Sequence, residues 1–426
     1  MLHSPLDNIA LAYEPVWDKG RRICATRLTV HAVEPKKVDI TQLLTFVTDG
    51  LPPDAPPLLL NPVAPALLVA MLKQAPVRNT WLEVPEFIWA KPEALELLLH
   101  ARRYGHQLLW RGELSRFAPY AKKFQGLRGV LDVSADDALL ALRAASQGGE
   151  FAAVGAAERV DSPILAGHLY TGVASRAVAD HALDKRQAWG VVGWPVDELL
   201  SENERQPVPM DQRVMVQIMQ ALDAEVPIQQ VGRLLVQDPV VVYRLLRMVN
   251  SAAFGLTHEV ESIRHALMML GYDKLKAWLR SAYGGASSDR SLHPVRHTLL
   301  MRSRLMRLLL DPNSDEELKG EIQLTGVFAQ LDRLMKEPLA ELLRQLPVPD
   351  RIFSTLVRHD GPYVAYLDVA NAAADPARVA DMPAICESSG FAMEEVNTAI
   401  LELLATAREP TDQSFVPAPD RSPRLA

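Results

Sequence analysis

The chain changes its hydrophobic period once, near residue 190, and this change constrains its fold more than any other feature. Before it, short β-rich runs alternate with helical stretches. The runs are Leu11–Trp17, Ile23–Val33, Leu58–Asn61, Thr80–Val84, Gln107–Trp110, Leu127–Val133, Phe151–Gly155 and His168–Gly172. Segments with apolar residues at helical spacing stand between several of them: Ala64–Lys73, Pro92–Arg103 and Ala135–Gln147. Such alternation predicts an α/β domain with a mostly parallel sheet, and eight strand candidates suggest a (β/α)8 barrel. Barrels of this kind usually take about 250 residues. One completed by residue 190 must be trimmed, with some helices reduced to loops.

Beyond residue 190 strand signals nearly vanish. Gly190–Pro195 and the polar run Ser201–Pro209 read as a connection, and helical patterns then follow one another to Ala407. Asp238 stands as an N-cap before Pro239 at the first helical position, and Ser262 caps Ile263–Leu270. Gly271 falls where a left-handed residue ends a helix. The segment from Arg408 has no apolar period and reads as disordered. The expected division is residues 1–190 as an α/β barrel domain, 191–209 as linker, 210–407 as an all-α domain and 408–426 as a disordered tail.

Composition removes several function classes. With 48% hydrophobic and 23% charged residues over 426 positions, the chain is globular. It carries 45 Lys and Arg against 52 Asp and Glu, net −7, which disfavours a polybasic nucleic-acid binder. Cys24 and Cys386 are its two cysteines, too few for a disulfide framework or a zinc cluster. Met1–Asn8 lacks the pattern of a secretion signal, and the best apolar stretch, Leu58–Leu72, is interrupted by Pro62 and Pro65. A cytoplasmic protein without a membrane segment is expected. Locally, Tyr272–Leu310 is basic, with Lys274, Lys276, Arg280, Arg290, Arg296, Arg302, Arg304 and Arg307 against Asp273 and Asp289. The plain reading is a solvated face; a docking or nucleic-acid surface is the sharper alternative.

The segment Asp238–Gly271, DPVVVYRLLRMVNSAAFGLTHEVESIRHALMMLG, resembles the HDOD domain, a helical signalling module of bacteria. The resemblance is carried by Asp238, Pro239, Asn250, Ser251, Gly255, Ala266, Leu267, Leu270 and Gly271. On their own chemistry, Asn250 and Ser251 read as satisfying backbone groups at a helix end. Leu267–Leu270 is too apolar to read a DNA groove. HDOD domains are similar to HD phosphohydrolases, whose metal site needs several converging His and Asp ligands. His297 fits the first such position, but Ala329 and Gln330 stand where a His-Asp pair is required. His359–Asp360, followed by Gly361–Pro362, reads as a helix C-terminus. No hydrolase site is expected here.

An α/β domain before an HDOD domain resembles the EAL–HDOD arrangement, and the opening from Tyr13 to His31 resembles the start of an EAL barrel. EAL barrels hydrolyse cyclic di-GMP with two metal ions held by carboxylates at strand ends. On that resemblance Arg27 takes the place of a metal-binding Glu, while Asn61, Glu83 and Glu158 keep polar family positions. Trp110 and Arg111 fall where paired aspartates belong, and Val130 where the family has a lysine. The resemblance therefore implies a truncated or degenerate EAL barrel with no catalytic residue, no bound metal and no cofactor. Its implied role is a non-catalytic scaffold or regulator that contacts other signalling proteins in cyclic di-GMP-related control of motility and surface attachment. The alternative is a cyclic di-GMP phosphodiesterase or cyclic-dinucleotide-binding effector, with weak nucleotide binding through the arginines left open.

Overall fold

The computed structural model describes Ser4 and residues 6–35, 37–52, 55–147, 160–201, 206–254 and 258–406. Eight strands close a barrel in chain order: β1 (Ile9–Trp17), β2 (Ile23–Ala32), β3 (Leu58–Pro62), β4 (Thr80–Pro85), β5 (Gln107–Glu113), β6 (Arg128–Asp132), β7 (Leu169–Thr171) and β8 (Gly190–Val192). From β2 to β8 every neighbour is parallel. β1 runs antiparallel to both β2 and β8. The β1–β2 connection is a hairpin in which Asp18 N–H donates to the Arg22 carbonyl at 2.9 Å and Arg21 takes a left-handed φ of 59°.

That hairpin explains how the barrel fits its short length. An antiparallel pair needs no crossover helix, and the last two strands have three residues each. The expected run His168–Gly172 becomes β7. The expected run Phe151–Gly155 lies outside the described residues. The closing strand, Gly190–Val192, reaches into the stretch read from sequence as linker; three residues are too few to show a period. The same stretch also holds a short helix, Val196–Ser201. Helices Ile40–Gly50, Pro65–Leu72, Pro92–Tyr104, Leu114–Lys123 and Ala135–Gln147 supply the crossovers.

Period-two alternation sorts the barrel's side chains. Val16, Ala25, Leu59, Leu109, Val130, Leu169 and Val192 form one buried cluster with Trp81, so each strand gives the interior one residue. Their neighbours Leu28, Leu60, Leu82, Trp110, Leu131 and Tyr170 belong instead to the large core beneath the helices. Strand residues two positions from the interior layer must also face inward.

The helical half runs from Gln212–Asp223 to Met393–Thr406. Asp238 caps Pro239–Val249 through Val240 N–H at 2.9 Å, and Ser262 caps the next long helix through His265 N–H at 3.2 Å. Gly271 interrupts that helix at φ 67° and ψ 175°, the left-handed break its sequence position called for. Gly326 allows Glu316–Phe328 to close on His293–Leu308: a Cβ there would stand 2.5 Å from the Ser303 Cα. Asn250 donates to the Leu246 and Val260 carbonyls and accepts from Val260 N–H, and Ser251 donates to the Met248 carbonyl. Both side chains thus serve the backbone. Gly255 lies outside the described residues.

The two halves share one continuous core. β8 pairs with β1 only at Val16↔Val192 and Trp17↔Val191, which leaves most of the β1 edge without a strand partner. The buried amide of Asn397, from the helix Met393–Thr406, fills that gap. Its nitrogen donates to the Leu6 and Ile9 carbonyls, both at 2.8 Å, and its oxygen accepts from Leu11 N–H at 3.2 Å. The helical half therefore covers an edge that would otherwise invite another strand. Among the described residues, no helix is long and apolar enough to cross a membrane.

Candidate functional site

The strand ends that point beyond the interior layer gather the polar side chains. Glu14 lies two positions from Val16, Arg27 two from Ala25, Asn61 two from Leu59, and Glu83 two from Trp81. Arg111 and Asp132 stand in the same relation to Leu109 and Val130. Strand register adds to this: Glu14 lies opposite Arg27, and Thr29 opposite Asn61. One rim of the barrel therefore collects Glu14, Arg27, Thr29, Asn61, Glu83, Arg111 and Asp132.

Arg27 organises this rim. Its Nε donates to Glu83 Oε1 at 2.8 Å and its second terminal nitrogen to Glu83 Oε2 at 2.8 Å, a bidentate pair. Its other terminal nitrogen donates to Glu14 Oε2 at 3.1 Å. The Glu83 side chain is 0% exposed and that of Arg27 10%, so the pair is out of water. Arg111 Nε lies 3.9 Å from the same carboxylate. Asn61 donates its amide to Thr29 Oγ1 at 3.2 Å.

Titration follows from this packing. Burial pushes Glu14 up, and the Arg27 charge only partly offsets it. Glu83 and Asp375, the N-cap of the turn Pro376–Asp381 from the helical half, push Glu14 up further. Asp132 is raised by burial against the pull of Arg111 and Arg27. Arg27 is raised by its two carboxylates despite burial, whereas burial lowers Arg111.

Of the positions read from sequence, Arg27, Asn61, Glu83 and Arg111 come together here. Trp110 does not. Strand parity turns its ring toward the helix Leu114–Lys123, where it packs on Phe117 at 5.2 Å and Tyr120 at 5.4 Å. Val130 faces inward but lies in the apolar layer below the rim. Glu158 lies outside the described residues. Sequence reasoning passed over Glu14 and Thr29, although alternation from Val16 and Ala25 marks both as inward-facing.

In the helical half, Asp238 is fully buried and joins three elements. Its Oδ2 accepts from Asp211 N–H at 2.6 Å and lies 3.4 Å from Arg296 Nε. Pro239 follows as the first residue of its helix. His297 packs edge-on against Trp17 of β1 with ring centroids 5.6 Å apart. His359, at φ 52°, ends a helical turn and lies 3.5 Å from Asp368. Among the described residues, no group of three or more His, Cys, Asp or Glu is placed to hold a metal ion.

The basic stretch does not form one surface. Lys276 pairs with Asp223, and Lys274 lies over the Phe254 ring. Arg296 is buried against Asp211 and Asp238. Arg302 is buried beside Tyr13, and burial lowers its pKa. Arg304 and Arg307 face separate clefts.

Fold and rim together define an eight-stranded α/β barrel, its inner rim closed by an arginine–carboxylate cluster, followed by a helical half. Residues 208–291 match the HDOD domain family, so the chain carries an HDOD domain. It is 28% identical over 178 residues to the cyclic di-GMP phosphodiesterase CdgJ of Vibrio cholerae, a match that covers 42% of this chain and 41% of that protein. It is 27% identical over 158 residues to the uncharacterized protein YuxH of Bacillus subtilis, which covers 36% of this chain and 38% of that protein. The matched stretch thus spans about two fifths of the length of these curated relatives. Among solved structures, the EAL enzyme Bd1971 in its cAMP-bound form is similar at 12% identity with a TM-score of 0.30. That match covers 44% of this chain and 61% of that one. At that score the likeness adds nothing to the barrel's own geometry.

Proposed function

We propose that this chain is a non-catalytic regulator in cyclic di-GMP-related signalling: a degenerate EAL barrel joined to an HDOD domain, acting through contacts with other signalling proteins. One observation carries the reading. The carboxylate of Glu83, which the resemblance assigns to a metal ion, spends both oxygens on Arg27. Glu14 spends one on the same guanidinium. A pair of divalent cations needs oxygen donors converging on an open position. Here the converging group is itself a cation, buried and bidentate. The donor set does not fit two metal ions.

Likeness to a protein named as a cyclic di-GMP phosphodiesterase supports the signalling context and favours a second reading, in which the barrel retains that activity. The two are separated by calorimetry of the full chain with cyclic di-GMP, with and without Mg²⁺ and Mn²⁺, and by chromatography of the products. The regulator reading expects no linear dinucleotide and no metal-dependent heat. Turnover, or metal uptake found by elemental analysis, would overturn it. The partners are sought by pull-down with the full chain, comparing wild type with a variant altered at the exposed pair Met268 and Met269.

A further inference from the structure

A cleft of about 510 Å³ lies where the β1–β2 hairpin meets the helical half. Its size is within the range of about 300–1,000 Å³ that takes a small organic ligand. From the barrel come Gly20 and Arg22; from the helices come Arg213, Arg290, Arg304, His293 and His297.

The charge of this cleft is one-sided although the chain as a whole is net −7. Two carboxylates face it, Asp211 and Asp289. Both are committed to arginines outside its lining. Asp289 accepts from Arg176 through two hydrogen bonds, at 2.8 and 3.0 Å. Asp211 lies 3.4 Å from Arg296 and accepts from Arg213 N–H at 2.8 Å. Arg22, Arg290 and Arg304 face a concavity whose acids are already neutralised. Arg304 matters most. It has no carboxylate partner among the described residues, and burial disfavours its charge. Low-dielectric walls concentrate the field of such a group, and an anion placed against it restores the solvation that burial removed. The remaining lining is polar and suited to a ligand with its own donors and acceptors: Gln212, Gln217, Gln220 and Gln237, with the Tyr283 ring beside them.

We propose that this interdomain cleft binds a phosphate-bearing ligand of nucleotide size, its phosphate held by Arg304 and Arg22 and its polar ring system by the glutamines. Two parts of the fold supply the site, so occupancy ties the hairpin to the helical half. It is distinct from the barrel rim, where the guanidinium of Arg27 is already spent on carboxylates.

The test is calorimetric titration of the full chain with inorganic phosphate, AMP and GMP at low and high salt. At least one nucleotide is expected to bind more tightly than inorganic phosphate, with an affinity that falls as salt rises. Arg304→Gln and Arg22→Gln should each weaken binding about tenfold or more, the scale of a lost charge-assisted hydrogen bond. Arg22 is exposed, so its variant reads the site without disturbing the core. Arg116→Gln, at an exposed position that does not line the cleft, should leave the affinity unchanged. Absence of binding by either nucleotide at low salt would overturn the proposal. So would equal affinity for inorganic phosphate, or full affinity in both Arg22→Gln and Arg304→Gln.

Discussion

Removing Arg27 is the sharpest test of how the barrel rim is built. In Arg27→Met the side chain keeps much of its apolar stem, but the guanidinium disappears and leaves the fully buried carboxylate of Glu83 without its two hydrogen bonds. A charge pair about 4 Å apart at an effective dielectric of about 20 interacts by about 4 kcal/mol, and stripping one partner from a buried pair costs about 3–5 kcal/mol. Arg111, 3.9 Å from Glu83, is the nearest replacement, and the Glu14 side chain, 22% exposed, can still reach water. Both place the expected loss near the lower end, about 3 kcal/mol. The stranded carboxylate is relieved by taking up a proton, so the folded variant binds more protons than its unfolded chain. Its deficit should therefore be greater at about pH 8 than at about pH 5.5. Urea unfolding followed by tryptophan fluorescence and circular dichroism measures it. Adding Glu83→Gln removes the stranded charge and should restore at least about half of the loss. A loss under about 1 kcal/mol, an equal loss at both pH values, or a double variant no better than the single would refute the ion pair as the organiser of the rim.

Two further outcomes are expected. Asn397→Ala deletes three buried hydrogen bonds, two to β1 and one to Leu6 just before it, and strands one amide and two carbonyls. The cost should be about 2–4 kcal/mol in urea unfolding, with amide exchange of Leu11 accelerated ahead of the other strands; unchanged exchange would sink this account. His168 accepts from Gly129 N–H through Nδ1 at 3.0 Å, and burial, helped by Arg128, holds its pKa below the ordinary value. The unfolded chain then takes up its proton first, near about pH 6.5, so stability falls as pH drops through that value toward the lower folded pKa. The slope this histidine contributes stays below about 1.4 kcal/mol per pH unit, and His168→Gln should flatten the melting-temperature profile between about pH 7.5 and about pH 5.5. An identical profile in that variant would exclude the mechanism.

The sequence made much of the architecture legible. The strands from β1 to β6 were legible because each has five or more residues of a β-rich run, and β7, with three, stood inside the longer run His168–Gly172. β8 escaped because Gly190–Val192 has three residues and no room to alternate. The helix Leu114–Lys123 was hidden by Pro119 in its interior. At the rim, residue types were readable but their pairing was not. Arg27 and Glu83 stand 56 positions apart and meet only because the barrel closes. Trp110 shows the opposite failure: alignment placed it among polar positions, while parity on β5 sends it to the helices. The polar run before Pro209 reads as a linker. Val208 N–H nevertheless donates to the Leu334 carbonyl at 2.7 Å, and Arg333 and Lys336 bond Asp197 and the Leu200 carbonyl.

The seam at β1 also has a consequence for how this protein is made. β1 leaves the ribosome well before the side chain that satisfies its open edge, which lies 386 residues downstream of Leu11. Contacts of such sequence separation form late, because the loop they close is long. Until Met393–Thr406 has been synthesised, the nascent barrel carries an apolar strand edge able to pair with another chain. Its vulnerable interval is therefore translation itself, and demand for holding chaperones should track the time taken to finish the helical half.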